Sequence, residues 1–159
     1  MSCECEKYEH LKLYREPINQ RIKKSRILKR RLKELAQSTD GEHTLWQCSI
    51  CSQFWQSSYA WNWGQKFYLF KVPPIAVDEW LIEPYIQPDE LLIFTAVMQD
   101  YLDKNSSEET DRKCRAEGCG KNAIKFTVFC LSHHIESLQK AGALPKYPKG
   151  KWFLPYERF

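Results

Sequence analysis

The chain has 159 residues, of which 43% are hydrophobic and 14% aromatic, and its formal net charge at pH 7 is +4. This composition excludes an intrinsically disordered chain, because six Trp, eight Tyr and eight Phe residues supply apolar area for a core. The length suits one ordinary domain, alone or with a small metal-stapled module. Residues 1–14 are charged at almost every second position, and no apolar run approaches the length of a membrane span. We therefore expect a cytoplasmic protein with no membrane partner.

The first predicted element is a basic helix over residues 18–37, where Ile18, Ile22, Leu28 and Leu32 recur at helical spacing. Residues 21–33 hold eight basic side chains in thirteen positions, a density that could follow a phosphate backbone. The alternatives are a solvated helix face or a contact with the chain's own acidic segment. The candidate nucleic-acid-binding residues are Arg21, Lys24, Lys29, Arg30 and Arg31.

An aromatic-rich region follows over residues 45–72, and Lys66 to Val72 is predicted to form a strand. Its aromatic side chains suit a core, a protein-binding surface or a platform for stacking bases. All three interpretations stay open at this point.

The central segment is acidic, with ten acidic residues and one basic residue between positions 72 and 111. A short helix near Val77 to Ile82 and a longer one from Pro88 to about Leu102 are predicted, since Pro88 and the acids after it are typical of a helix start. Residues 105–112 are polar and acidic, and we predict a linker there, between an N-terminal region at 1–104 and a C-terminal module at 113–159. The acids form a candidate partner-binding surface, namely Asp78, Glu79, Glu83, Asp89, Glu90, Asp100 and Asp103.

The C-terminal module holds the more local of two metal motifs. Cys114, Cys119 and Cys130 are followed by His133, and three thiolates with one imidazole are a typical tetrahedral zinc set. His134 is an alternative fourth ligand, although the spacing favours His133. A strand or hairpin over residues 123–129 and a helix near residues 135–141 complete the pattern. This order of knuckle, hairpin and helix resembles the treble-clef zinc folds, which implies a zinc-binding fold and no particular function.

The second metal motif joins two distant pairs, Cys3 with Cys5 and Cys48 with Cys51. Four thiolates are the number that a closed structural zinc site needs. The alternatives are a redox pair at Cys48 and Cys51, or cysteines without a metal. A cytoplasmic chain with seven cysteines favours metal over disulfides, and the two motifs together use every cysteine once.

The sequence thus predicts an α+β protein that is stabilised by two structural zinc ions. We expect it to be non-enzymatic, because both sites have four protein ligands and the acids lie at helix starts rather than in a paired catalytic set. The chain also resembles small zinc-containing bacterial proteins, some of which are immunity proteins that neutralise a toxin. That resemblance implies a basic protein toxin as the partner of the acidic segment. The alternative function is nucleic-acid binding through the basic helix.

Overall fold

The computed structural model describes residues 2–157. Its contacts divide this chain into two compact units, one formed by residues 2–92 with 148–157 and the other by Ile93–Tyr147. The division differs from the predicted ranges in placing the aromatic tail with the first unit. The division into a region at 1–104, a linker at 105–112 and a module at 113–159 stays a prediction. The mixture of helices and antiparallel strands confirms the predicted α+β class.

The first unit is built on a four-stranded antiparallel sheet in the order β1-β2-β3-β4. Its strands are β1 (Leu32–Gln37), β2 (Thr44–Cys48), β3 (Phe54–Ala60) and β4 (Lys66–Val72). The bounds of β4 are those that the aromatic pattern predicts. In the register of the central strands Trp46 lies opposite Trp55, and Trp55 lies opposite Lys71.

The basic helix α1 (Arg15–Lys29) is shorter than predicted, because residues 32–37 form β1 instead of its last turns. Leu32 and Leu35 continue the helical spacing, but here they are half-buried residues of a strand. The register of β1 against β2 shifts between Glu34 and Ala36. This shift interrupts the alternation of apolar and polar residues that would otherwise indicate a strand in the sequence. Tertiary pairing therefore overrides the local helical pattern.

Each face of the sheet is covered by a different part of the first unit. On one face Leu28 of α1 packs with Cys5, Trp55 and Leu69, and the Ser25 hydroxyl of α1 accepts a 2.9 Å hydrogen bond from the Leu69 amide. On the other face the C-terminal tail places Phe153 in a stack against Phe70, with ring centroids 6.3 Å apart. The tail is thus held by its aromatic side chains.

Helix α2 (Val77–Ile82) has the bounds that the sequence predicts, and it is anchored by a single residue. Trp80 is 0% exposed and its indole N–H donates to Gln56 Oε1 of β3 over 2.8 Å. The same Gln56 side chain accepts from the Tyr85 amide and donates to the Tyr85 carbonyl. These bonds fix α2 rigidly in the first unit.

Helix α3 (Pro88–Lys104) begins at the predicted proline, and the division between the two units falls within it. The second unit continues with β5 (Glu109–Lys113), β6 (Asn122–Ile124) and α4 (Leu131–Lys140). Residues 109–112, which the sequence assigns to a linker, therefore lie in a strand. Their polar sequence resembles a linker because β5 pairs only with β6 and its side chains are mostly exposed. None of the helices in residues 2–157 combines the length and apolarity that crossing a bilayer requires.

Candidate metal centres

The N-terminal cluster consists of Cys3, Cys5, Cys48 and Cys51, whose sulfur atoms all lie within 4.8 Å of one another. Cys5 begins a single 3-10 turn, and Cys48 is the last residue of β2. Cys51 lies in the tight connection to β3, where the Ser52 amide bonds back to the Cys48 carbonyl over 3.1 Å. Ser52 adopts a positive φ of 63°, which lets this connection turn sharply. The fold thus closes the 42-residue gap between the two cysteine pairs.

The backbone around this cluster supplies donors to sulfur. Burial raises the pKa of Cys48, but the amides of Cys51 and Ile50 donate to its sulfur, and the net effect lowers that pKa to about 7. Burial raises the pKa of Cys5, and the neighbouring thiols of Cys48 and Cys51 add to the rise. A bound cation offsets the cost of ionising these buried, neighbouring thiols, because it favours the thiolate form of its ligands.

One buried donor beside this cluster lacks a well-formed hydrogen bond. The Trp55 indole N–H is inaccessible to solvent and has no partner of normal hydrogen-bond geometry within residues 2–157, although it lies close enough to Cys5 to lower that residue's pKa. Unpaired buried donors are rare in folded proteins. A metal-bound thiolate at Cys5 would be a strong acceptor for this N–H, so the surroundings fit an occupied metal site better than four neutral thiols.

The C-terminal cluster consists of Cys114, Cys119, Cys130 and His133, again with every ligand atom within 4.8 Å of the others. Cys114 follows β5, and Cys130 caps the N-terminus of α4. His133 Nδ1 lies 3.2 Å from Cys130 Sγ and 3.4 Å from Cys114 Sγ, and the sulfurs of Cys119 and Cys130 are 3.9 Å apart. Standard zinc bond lengths in a tetrahedron place two sulfurs about 3.8 Å apart and sulfur and nitrogen about 3.6 Å apart. The sulfur–sulfur distance matches this geometry, and the two sulfur–nitrogen distances are shorter by about 0.2 to 0.4 Å, so a small movement would admit the ion.

The structure also distinguishes the two adjacent histidines. His134 Nε2 lies 2.9 Å from the Tyr101 hydroxyl, and the imidazole is occupied by that contact. His133 is the histidine that the fold brings to the sulfurs, as the spacing favoured.

Backbone amides also surround the sulfurs of the C-terminal cluster. Burial raises the pKa of Cys114, but amides of Cys130 and Ala116 donate to its sulfur and the net effect lowers the pKa to about 6. Gly118 has a φ of 74°, a conformation that glycine adopts without strain, and it lets the loop turn so that the Lys121 amide can donate to Cys119. The glycine-rich knuckle thus presents N–H groups to two of the sulfurs.

The two clusters can each hold one metal ion with a complete set of four protein ligands. All seven cysteines are free of disulfide bonds. A complete ligand set leaves no position for water or substrate, which is typical of a structural site rather than a catalytic one.

Two of the seven acidic residues predicted to form a partner-binding surface, Asp89 and Glu90, are buried or half-buried. Asp89 is 1% exposed, and its carboxylate accepts hydrogen bonds from the Tyr68 hydroxyl at 2.5 Å and from the Gln87 amide at 3.0 Å. It therefore binds the chain's own donors rather than an external partner. Glu90 is half-buried, and burial together with the Asp89 charge raises its pKa.

The remaining acids are exposed, but some have partners. Glu79 forms an ion pair with Lys151, and Asp100 with Lys104 at 2.9 Å. Asp103 accepts from the Gln99 amide. Asp78 and Glu83 are exposed at the two ends of α2.

The basic residues also separate into structural and exposed ones. Arg21 is 6% exposed and donates to the carbonyls of Leu69 and Glu9, so it is part of the core. Lys29 lies over the rings of Trp46 and Phe67. The other candidates, Lys24, Arg30 and Arg31, are exposed. Of these three, Arg31 lies 3.5 Å from a carboxylate oxygen of Glu4.

Sequence reasoning missed the residues that support the metal clusters. Trp55 and Tyr101 are aromatic residues in aromatic-rich segments, and nothing in their spacing marks them as neighbours of a ligand or of His134. These roles become visible only in the folded chain, where Trp55 of β3 lies beside Cys5 and Tyr101 of α3 lies beside His134.

Comparison with known proteins returns no match in any of three searches, against protein-family models, curated proteins and solved structures. The resemblance to immunity proteins therefore has no support from a relative.

Proposed function

We propose that this chain is a non-enzymatic protein-binding protein, held in shape by two structural zinc ions, whose partner docks on α2. The metal is assigned by its ligands: a four-thiolate set and a set of three thiolates with one imidazole both suit zinc in a tetrahedral site. The ribbon of β5 and β6 followed by α4 supports a treble-clef-like description of the second site. Seven unbridged thiols suit a reducing, cytoplasmic location.

The observation that carries the docking proposal is the exposure of two consecutive apolar residues on α2. Ile82 is 86% exposed and Leu81 is also exposed, while Trp80 beside them is fully buried. Because Trp80 and Gln56 anchor the helix, the exposed pair is presented in one orientation and loses little entropy on binding. Rigid apolar side chains of this kind are typical of binding hot spots.

Charge indicates the class of partner. Asp78 and Glu83 flank the apolar pair and are exposed, so a complementary surface would be apolar at its centre and basic at its rim. A basic toxin that this chain neutralises, as an immunity protein does, is the concrete version of this proposal. Glu79 contributes less, because Lys151 already neutralises it.

The test is affinity capture from the cells in which the chain occurs, followed by calorimetric titration of the purified partner. We expect Ile82→Ser to weaken binding by about tenfold or more, since a hot-spot truncation costs about 2 kcal/mol. The double variant Asp78→Asn with Glu83→Gln should slow association and reduce its salt dependence, because it removes the two negative charges that attract a basic partner. Ile27→Ser is the matched control, because Ile27 is a 62% exposed isoleucine on α1. A stoichiometric partner that binds all these variants equally well would place the docking surface elsewhere.

Nucleic-acid binding is a second candidate because of a specific observation on α1. The side chains of Lys23, Lys24, Arg26 and Arg30 are exposed, and within residues 2–157 none of them has an ion pair. If they contact phosphates, affinity for a short duplex should fall with salt at a slope near −0.9 per contact. Replacing Lys23, Arg26 and Arg30 with Ala should then weaken binding strongly and reduce its salt dependence, whereas Ile82→Ser should leave it unchanged. Unchanged affinity in the triple variant excludes this function.

A further inference from the structure

A cleft of about 360 Å³ lies in the first unit between residues 6–12 and α1, and none of the residues that line it is a metal ligand or belongs to α2. Its wall includes Tyr8, His10, Lys12, Arg21 and Lys24. A volume of this size is within the range of small-molecule sites. Its chemistry follows from the charged groups that line it.

One of the residues that line the cleft is the buried Arg21. Arginine has five N–H donors, and the hydrogen bonds of Arg21 use one on each terminal nitrogen, to the Leu69 carbonyl at 3.1 Å and to the Glu9 carbonyl at 2.9 Å. Its other contacts are with the faces of Tyr8 and Trp55. Within residues 2–157, the other three N–H groups of Arg21 have no acceptor.

Arg21 also lacks a counter-charge. In the described part of the chain, no carboxylate lies within 4.0 Å of its nitrogens. Buried charges in proteins are normally paired, because desolvation without compensation is costly. Backbone carbonyls and aromatic rings compensate Arg21 in part, and an anion in the cleft would complete the compensation.

The surroundings of Arg21 add positive charge. Lys12 and Lys24 are exposed at the cleft and have no ion pair within residues 2–157, and the rim carries one more lysine, Lys7. Two carboxylates, Glu6 and Glu9, also line the cleft, and Lys7 pairs with Glu4 at 3.4 Å, so Lys12, Arg21 and Lys24 leave an excess of one positive charge.

His10 also lines the cleft. Burial lowers the pKa of His10, and the positive charges of Lys71 and Arg21 lower it further. The imidazole thus experiences a field that disfavours a further cation and favours an anion.

We propose that this cleft binds the phosphate group of a small phosphorylated molecule, with Arg21 at its floor and Lys12 and Lys24 at its mouth. A phosphate monoester carries close to two negative charges and three terminal oxygens, which suits the three unused N–H groups and the two unpaired ammonium groups. The guanidinium fork fits the geometry of phosphate. The remaining volume of the cleft accommodates the group to which the phosphate is attached.

The test is isothermal titration calorimetry of the zinc-loaded full chain with inorganic phosphate and with a nucleoside monophosphate. We expect both to bind the wild type, and Lys24→Gln and Lys12→Gln each to weaken binding by about tenfold, the usual effect of losing a charge-assisted hydrogen bond. Lys23→Gln is the matched control, because Lys23 is an exposed lysine of α1 that does not line the cleft. Its affinity should stay within about twofold of the wild type.

Two further ligands separate the sources of the anion. Acetate that binds as tightly as phosphate would show a general carboxylate site and overturn the proposal. A short duplex that binds while both phosphate ligands do not would assign the cations to nucleic-acid backbone and overturn it as well. Absence of phosphate binding, or an equal loss in Lys23→Gln, contradicts it directly. A thermal melt of each variant shows that the fold is retained, and Ile82→Ser should bind phosphate normally, which keeps this result separate from the docking surface.

Discussion

Cys119→Ser should unfold the second unit while leaving the first one folded. This unit is small and contains few large buried side chains, among them Phe94, Met98 and Ile135, so its apolar core cannot offset the chain entropy alone. A structural zinc ion contributes about 10–16 kcal/mol of apparent binding free energy in small zinc peptides, whereas whole domains are stable by about 5–15 kcal/mol. Losing one of four ligands is therefore enough to unfold a unit of this kind.

The corresponding substitution at the other cluster, Cys48→Ser, should have a different effect. The first unit keeps a core of fully buried side chains that includes Trp80, Tyr68 and Phe70, each of which contributes about 1.5–3 kcal/mol by burial. We expect the N-terminal segment to detach from the sheet while β2, β3 and β4 remain paired. Cys5 and Cys48 share a core cluster with Trp46 and Trp55, so these indoles should become more solvated.

The positions of the tryptophans make the two outcomes easy to separate. All six Trp residues belong to the first unit, at positions 46, 55, 61, 63, 80 and 152. Cys119→Ser should therefore remove amide hydrogen-exchange protection from residues 113–141 with little change in Trp emission. Cys48→Ser should shift Trp emission to the red and leave protection in α4. Ser137→Ala, an exposed change within α4, is the control.

Exchange protection at wild-type levels in residues 113–141 of Cys119→Ser would show that the second unit does not depend on its metal cluster. Equal changes of Trp emission in the two variants would also contradict the prediction, since they would show one cooperative unit with no separate dependence on each cluster.

The remaining predictions concern the fourth ligand and one close backbone contact. His133→Gln should abolish one metal site, whereas His134→Gln should retain both sites, which native mass spectrometry would show. His134→Gln should lower the free energy of unfolding, measured in urea, by only about 1 kcal/mol, because it loses the contact with Tyr101. Metal loss in His134→Gln alone would reverse the assignment of the ligand. Gly150→Ala should destabilise the first unit by more than about 2 kcal/mol, because its φ is 129° and an added Cβ would lie 2.6 Å from the Ile86 amide nitrogen. Gly64 has a φ of 72° and open space around it, so Gly64→Ala should lower the free energy of unfolding by only about 1 kcal/mol. An equal loss of stability for the two substitutions in chemical unfolding would contradict the steric argument.

The sequence predicts those parts of the fold that depend on local chemistry. Lys66–Val72 and Val77–Ile82 have their expected bounds, because a run of β-formers and a short amphipathic stretch are each bounded by prolines or glycines. The C-terminal metal ligands follow from their spacing, since loop and helix N-terminus place them together within a few residues.

Features that depend on distant partners could not be predicted in the same way. Leu32–Gln37 continues a helical pattern, and only its pairing with β2 makes it a strand. Asp89 has the sequence context of a solvated acid in a first helical turn, yet the Tyr68 hydroxyl from β4 makes it a buried acceptor. Arg21 belongs to a basic run, and its burial becomes visible only when β4 and the N-terminal segment surround it. In each case a long-range contact decides the role of a residue whose local pattern indicates another one.

Native mass spectrometry of the purified chain, prepared under reducing conditions with zinc present, tests the central claim most directly. The account predicts two zinc ions per chain, one of which is lost in Cys48→Ser and the other in Cys119→Ser, with all seven thiols unbridged. A chain that holds one ion or none, or whose cysteines pair as disulfides under these conditions, would contradict it.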